Sequence, residues 1–106
     1  MHMPNCFYID GVKSLIFRQE ENCYITFDPI NLEFIRLNYI GAEILYCISL
    51  NMSYDKMVDY FIEKYCIESD IVKKDIIQFL DGYSCNVLIQ EKLSELNFNT
   101  ILGINI

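Results

Sequence analysis

A chain of 106 residues, 53% hydrophobic and 14% aromatic, with two prolines and four glycines, is long enough for one core and too apolar to stay disordered. Its formal net charge of −7 weighs against nucleic acid, whose binding is dominated by phosphate neutralisation. No apolar run reaches the roughly 18 residues of a membrane span, and no N-terminal segment joins a basic start, an apolar middle and a small-residue cleavage site.

The first third reads as strands. Residues 12–18 form the first, 19–22 a polar turn, and 23–27 the second, dense in aromatic and β-branched residues. A period of two places Cys23, Ile25 and Phe27 on one face. Asp28, Pro29, Ile30 and Asn31 make the next turn, in which Pro29 presets the backbone and Asp28 can fold its carboxylate onto the following amides. Residues 32–37 are the third strand. Short turns between three strands predict an antiparallel meander.

The remainder reads as helices. Asn38 caps a first helix running to about Ser49, with Ile40, Ile44, Leu45 and Ile48 as its apolar stripe. Gly41 costs that helix about 1 kcal/mol against Ala, which implies close approach of another backbone. Ser53 caps a second helix whose stripe is Tyr54, Met57, Val58, Phe61, Ile62 and Tyr65, opposite Asp55, Asp59 and Glu63. Ser69 caps a third, with Asp70 suiting the dipole of its first turn. Val72, Ile76, Phe79, Leu80 and Tyr83 form its buried face, and Gly82 lies near its end. Val87, Leu88 and Ile89 read as a short strand or extended segment. Residues 90–96 read as a helical turn or two, and residues 97–106 alternate roughly, as a strand without a visible partner would.

Catalytic chemistry finds little to work with. The cysteines, Cys6, Cys23, Cys47, Cys66 and Cys85, are odd in number and have no C-x-x-C spacing, and His2 is the single histidine. Free, mostly buried thiols in a reducing cytoplasm are expected, with no metal site and no cofactor. Asp75 lies on the third helix without a histidine or a second carboxylate placed beside it by sequence. A structural hydrogen bond to a backbone amide is its expected role. Most of the eight tyrosines sit on apolar stripes and read as core. No P-loop, Gly-rich dinucleotide turn or G-x-S-x-G elbow occurs. The expectation is a non-enzyme with no catalytic residues.

One ordered set of positions remains. Leu37 and Asn38 end the third strand and Gly41 follows in the first helix; Ser53 opens the second helix and Tyr65 closes it; Asp75, Phe79 and Leu80 punctuate the third. Over roughly residues 23–89 this order and spacing resembles the PqqD-like family, the recognition elements for precursors of ribosomally made, modified peptides. The family's closing Gly is replaced here by Asn86, ahead of Val87, Leu88 and Ile89.

The resemblance implies an α+β, winged-helix-like fold, a three-stranded antiparallel sheet followed by three helices. One domain is expected, with a core of about residues 12–89, and 90–106 as a tail or the start of a following domain. It also implies a function in natural product biosynthesis: binding a precursor's leader by strand addition and presenting it to a modifying enzyme in cis or in trans, in some members a radical S-adenosylmethionine maturase. The strand carrying Leu32, Glu33, Phe34, Ile35, Arg36 and Leu37 would receive the leader, and Lys73, Ile77, Leu80, Asp81 and Ser84 would form the second wall. Ile77 and Leu80 would supply an apolar pocket, and Lys73, Lys74 and Arg36 would pair with leader carboxylates. No nucleic acid or membrane is expected as partner, and the chain is expected to be a monomer or weak homodimer. The alternatives are a winged-helix DNA-binding or regulatory module and a structural dimerisation domain.

Overall fold

The computed structural model describes residues 2–98. Four strands come first: β1 (Cys6–Ile9), β2 (Leu15–Glu20), β3 (Cys23–Asp28) and β4 (Glu33–Leu37). Four helices follow: α1 (Tyr39–Ser49), α2 (Tyr54–Tyr65), α3 (Ser69–Gly82) and α4 (Gln90–Glu95), with a 3-10 turn over Asn86–Ile89 ahead of the last. The chain is therefore α+β, with an antiparallel sheet in the order β1-β2-β3-β4.

Strand β1 was not expected. Its four residues alternate exposed Cys6 and Tyr8 with buried Phe7 and Ile9, and Phe7 stacks on Phe17 of β2 at 4.7 Å between ring centroids. So short a run carries too few repeats of the period to stand out in sequence. The strand expected over 12–18 starts only at Leu15. The strand expected to begin at Leu32 starts at Glu33, because Leu32 sits in the turn with a positive φ of 55°. The segment 87–89 is a 3-10 turn rather than a strand.

Strand β3 turns Tyr24, Thr26 and Asp28 inward, so Cys23, Ile25 and Phe27 share the outer face of the sheet. The inner face of this strand is the more polar one, Tyr24 with Thr26 and Asp28, so the apolar run at Cys23, Ile25 and Phe27 does not mark the core side.

The helix starts follow local chemistry. The Asn38 side chain accepts the Gly41 N–H at 2.8 Å, and Ser53 Oγ accepts the Lys56 N–H at 3.4 Å. Ser69 is the first residue of α3 and not its cap; extended Glu68 holds that place without a side-chain bond. A Cβ on Gly41 would lie 2.5 Å from Phe79 Cε1. The close approach there is an aromatic ring of α3, where another backbone was expected.

The core is wider than residues 12–89. It includes Met3, Phe7 and Ile9 at one end and Leu93, Leu96 and Phe98 at the other. Helix α4 is tied back by the Tyr54 N–H, which donates to the Leu96 carbonyl at 2.9 Å, while the rings of Tyr54 and Phe98 meet edge to face.

Glu43 of α1 is fully buried within this core. It accepts hydrogen bonds from Tyr60, Lys64 and Tyr65 of α2. Burial alone would raise its pKa, but those bonds and the Lys64 charge outweigh burial and lower it.

The cysteines are all free, yet only Cys47 and Cys85 are buried; Cys23 is half-buried and Cys6 and Cys66 are exposed, against the expectation of mostly buried thiols. Among the described residues no helix is long and apolar enough to cross a membrane. Residues 99–106, most of the alternating C-terminal run, lie outside the described residues.

Candidate functional site

Strand β4 pairs with β3 alone, from Leu37 opposite Tyr24 to Glu33 opposite Asp28. An antiparallel ladder uses the polar groups of alternate residues, so the others direct amides and carbonyls away from it. Among the described residues no backbone partner takes up that outer side of β4. Strand β1 is the opposite edge, but it has four residues and its Phe7 rests against Tyr46 of α1.

What distinguishes β4 is the trough beside it, about 480 Å³, between the strand and α3. Glu33, Ile35 and Leu37 line one side; Gln78, Phe79, Gly82, Tyr83 and Ser84 line the other. Phe79 and Tyr83 stack with centroids 5.9 Å apart, and the buried Tyr83 hydroxyl has no partner among the described residues. Polar groups at Glu33, Gln78 and Ser84 edge an otherwise apolar floor.

The expected site residues divide accordingly. Glu33, Ile35, Leu37 and Ser84 line the trough. Phe34 and Arg36 leave β4 on the other face, by the period of two, so Arg36 is not placed to meet a guest's carboxylates there. Leu32 belongs to the turn and is exposed.

On α3 the residues that line the trough are not the ones expected as its wall. Leu80 is fully buried and unavailable as a pocket wall. Lys73 and Ile77 lie on the side of α3 away from Gln78 and Gly82, while exposed Lys74 and Asp81, one helical turn either side of Gln78, neighbour the trough without lining it. A helix turns about 100° per residue, so an error of one position in phase moves a whole wall. The missed residues are Gln78, Phe79, Gly82 and Tyr83. Gly82 carried a usable signal: a residue without a side chain at the end of a helix leaves open space, and nothing lies within 4 Å of where its Cβ would be.

The Ser84 end of the trough is fixed by Asp28, which is inaccessible to solvent. Its Oδ1 accepts the N–H groups of Ile30 and Asn31 at 2.7 and 3.1 Å, the turn geometry expected from sequence. Its Oδ2 accepts from Ser84 Oγ and from the Asn31 side-chain amide, both at 2.9 Å. Burial pushes this carboxyl up, but the amides of Asn31 and Ile30 and the Ser84 hydroxyl prevail and hold it at about 2.

With the folded pKa below the ordinary value of about 3.9, the stability that this group contributes is complete above about pH 4 and is lost as pH falls towards 2. The drop in urea midpoint between about pH 4 and about pH 2 is therefore expected to shrink in Asp28→Asn. A drop of unchanged size would assign the acid sensitivity to other carboxylates, Glu43 first.

Asp75 does not hold the expected structural hydrogen bond. It is exposed, makes none among the described residues, and stands with Ile40, Ile44, Phe61 and Ile76 around a small apolar cavity of about 120 Å³. A surface cleft of about 600 Å³ lies between the β1–β2 turn and α4. The backbone there is already engaged, the Val12 N–H donating to the Leu88 carbonyl at 3.1 Å, and no strand edge opens into it. Among the described residues no cluster of His, Cys, Asp and Glu has metal-binding geometry.

Comparison with known protein families, with curated proteins and with solved structures returned no match.

Proposed function

We propose that this protein binds the leader segment of a ribosomally made precursor peptide as a strand added to β4, and that it presents the rest of the precursor to a modifying enzyme. The observation that carries this reading is the coincidence of a strand edge without a partner among the described residues and an apolar trough along the same strand. Strand addition needs both: main-chain groups for affinity and pockets for alternate side chains for selectivity. The protein is then a non-catalytic recognition module of winged-helix type. It works in the cytoplasm as a monomer or weak dimer, without a cofactor, beside or within a maturation enzyme such as a radical S-adenosylmethionine maturase. The resemblance of residues 23–89 to the PqqD-like family supports this reading.

An interface one strand long is near the lower end of normal size, about 1,000 Å², and fits an affinity of about micromolar. The test is an amide-resonance titration with a synthetic leader, taken from a short precursor gene neighbouring this protein's own. Shifts are expected at residues 33–37 and 78–84. Shifts confined to another surface would defeat the model.

The same edge favours one second reading, self-pairing of β4 in a homodimer, because unpaired edges template strand association. Sedimentation separates the two: a dimer that leader peptide leaves intact supports self-pairing, and one that it dissociates supports the leader site. A DNA-binding winged helix has less support. The net charge of −7 opposes it, and α3 interleaves Lys73 and Lys74 with Asp70, Asp75 and Asp81. A gel shift with duplex DNA at low salt would reverse that judgement.

A further inference from the structure

The face of the sheet turned away from the helices is apolar where a solvated face is ordinarily polar. Tyr8 pairs with Ile16 and Phe27 with Phe34, and the β2–β3 register continued one residue past Phe17 and Thr26 brings the two pairs into one row across the four strands. These side chains are 63%, 60%, 43% and 73% exposed. The rings of Phe27 and Phe34 already meet edge to face at 5.4 Å. In the next row Arg18 and Arg36 flank Ile25, and they are the only arginines in the sequence. Arg18 reaches Glu20 at 3.4 Å with both side chains exposed. Arg36 pairs with no carboxylate among the described residues and instead approaches the Cys23 sulfur at 3.8 Å. On a chain of net charge −7, the strand side chains of this face carry two arginines against one glutamate.

We propose that this face is a second docking surface, and that its occupant is an acidic amphipathic helix of a partner protein. The helix would lay an apolar stripe over the row from Tyr8 to Phe34 and direct carboxylates at Arg18 and Arg36. Three interstrand spacings make the row about 14 Å long, the reach of about ten helical residues. Aromatic side chains and arginine are the residues that most often anchor interfaces. Charge selects the occupant. A second copy would bring another seven net negative charges and a nucleic acid strand one at every nucleotide, whereas a short helix brings only the few carboxylates that two arginines can take. A helix with glutamates beside its apolar stripe meets the arginines directly. The surface is separate from the trough, because Phe34 and Arg36 leave β4 opposite to Ile35.

The test uses the isotope-labelled chain and three probes. One is a synthetic amphipathic peptide of roughly 14 residues with a leucine stripe flanked by glutamates. The second is the same peptide with lysines in place of the glutamates. The third is an oligouridylate of about eight nucleotides. The acidic peptide is expected to shift the amides of Tyr8, Ile16, Ile25 and Phe34, to bind about tenfold tighter than the lysine version, and to lose about tenfold in the double variant Arg18→Glu, Arg36→Glu. Both arginines are exposed, and unchanged core resonances establish that the variant folds. Equal binding of the two peptides, no shift at about millimolar acidic peptide, or an oligonucleotide that outcompetes it on the same residues would overturn the proposal.

Discussion

A proline placed on the outward-facing amide register of β4 is expected to cost at least about tenfold in leader affinity, some 1.4 kcal/mol or more. Adjacent residues of a strand direct their amides to opposite sides, so Ile35→Pro and Arg36→Pro form a matched pair. One removes a donor offered to the guest, and the other removes a rung between β3 and β4. The variant that removes the donor offered to the guest keeps the native amide spectrum and loses the leader; the variant that removes the rung loses β4 pairing itself. Lys92→Ala, on the large cleft beside α4, serves as the control and is expected to stay within about twofold, since it touches neither the strand nor the trough. Calorimetry with all three variants checks this. If the folded proline variant binds as tightly as Lys92→Ala, strand addition at β4 is wrong.

The second large effect concerns stability. Lys64→Met is expected to lower unfolding free energy by about 3 kcal/mol, because it strands the fully buried Glu43 carboxylate with two tyrosine donors and no countercharge. The figure sits at the low end for a broken buried pair, because the Lys64 side chain is 32% exposed and partly screened. Lys64 also lies over the rings of Tyr60 and Tyr65, at 5.6 and 5.2 Å from their centroids, a contact that the thioether keeps only as packing. Urea unfolding at neutral pH measures the difference. A loss under about 1 kcal/mol would show that Glu43 reaches water or protonates when its partner leaves. The sign with pH follows from the direction of each shift. Glu43 is held low, so its contribution is present above about pH 4.3 and fades as acid protonates it. Lys64 is held high, so its contribution is present below about pH 10.4 and fades only in strong alkali.

The helices were legible because their signals are redundant. Residues 54–65 repeat an apolar stripe over three turns behind a serine that does cap the helix, and Asn38 caps α1 as its place in the sequence implied. The Asp28 turn was legible because one carboxylate and two following amides suffice to make it. The site was legible only in part. The backbone edge follows from finding where a strand run ends the sheet, which chain order suggests. Which side chains share the trough depends on the rotation of α3 about its own axis, and six apolar positions on that helix permit more than one phase. Glu43 gave no warning either. A glutamate between two apolar residues on a helix reads as solvated until α2 brings two tyrosines and a lysine over it, 17 to 22 positions later in the chain. Strand β1 needed its partner: Phe7 and Ile9 become a pattern only once Phe17 and Leu15 lie opposite.

The Phe79 ring resting on Gly41 joins α1 to the trough wall. The aperture offered to a guest is thus gauged by a missing methyl group three residues past the Asn38 corner. A Cβ at that point would lie closer to the ring than van der Waals radii permit, so the ring would swing away from α1, and the mouth of the channel would change shape although no channel-lining residue had changed. The glycine that weakens the first helix is in this sense a spacer for the third.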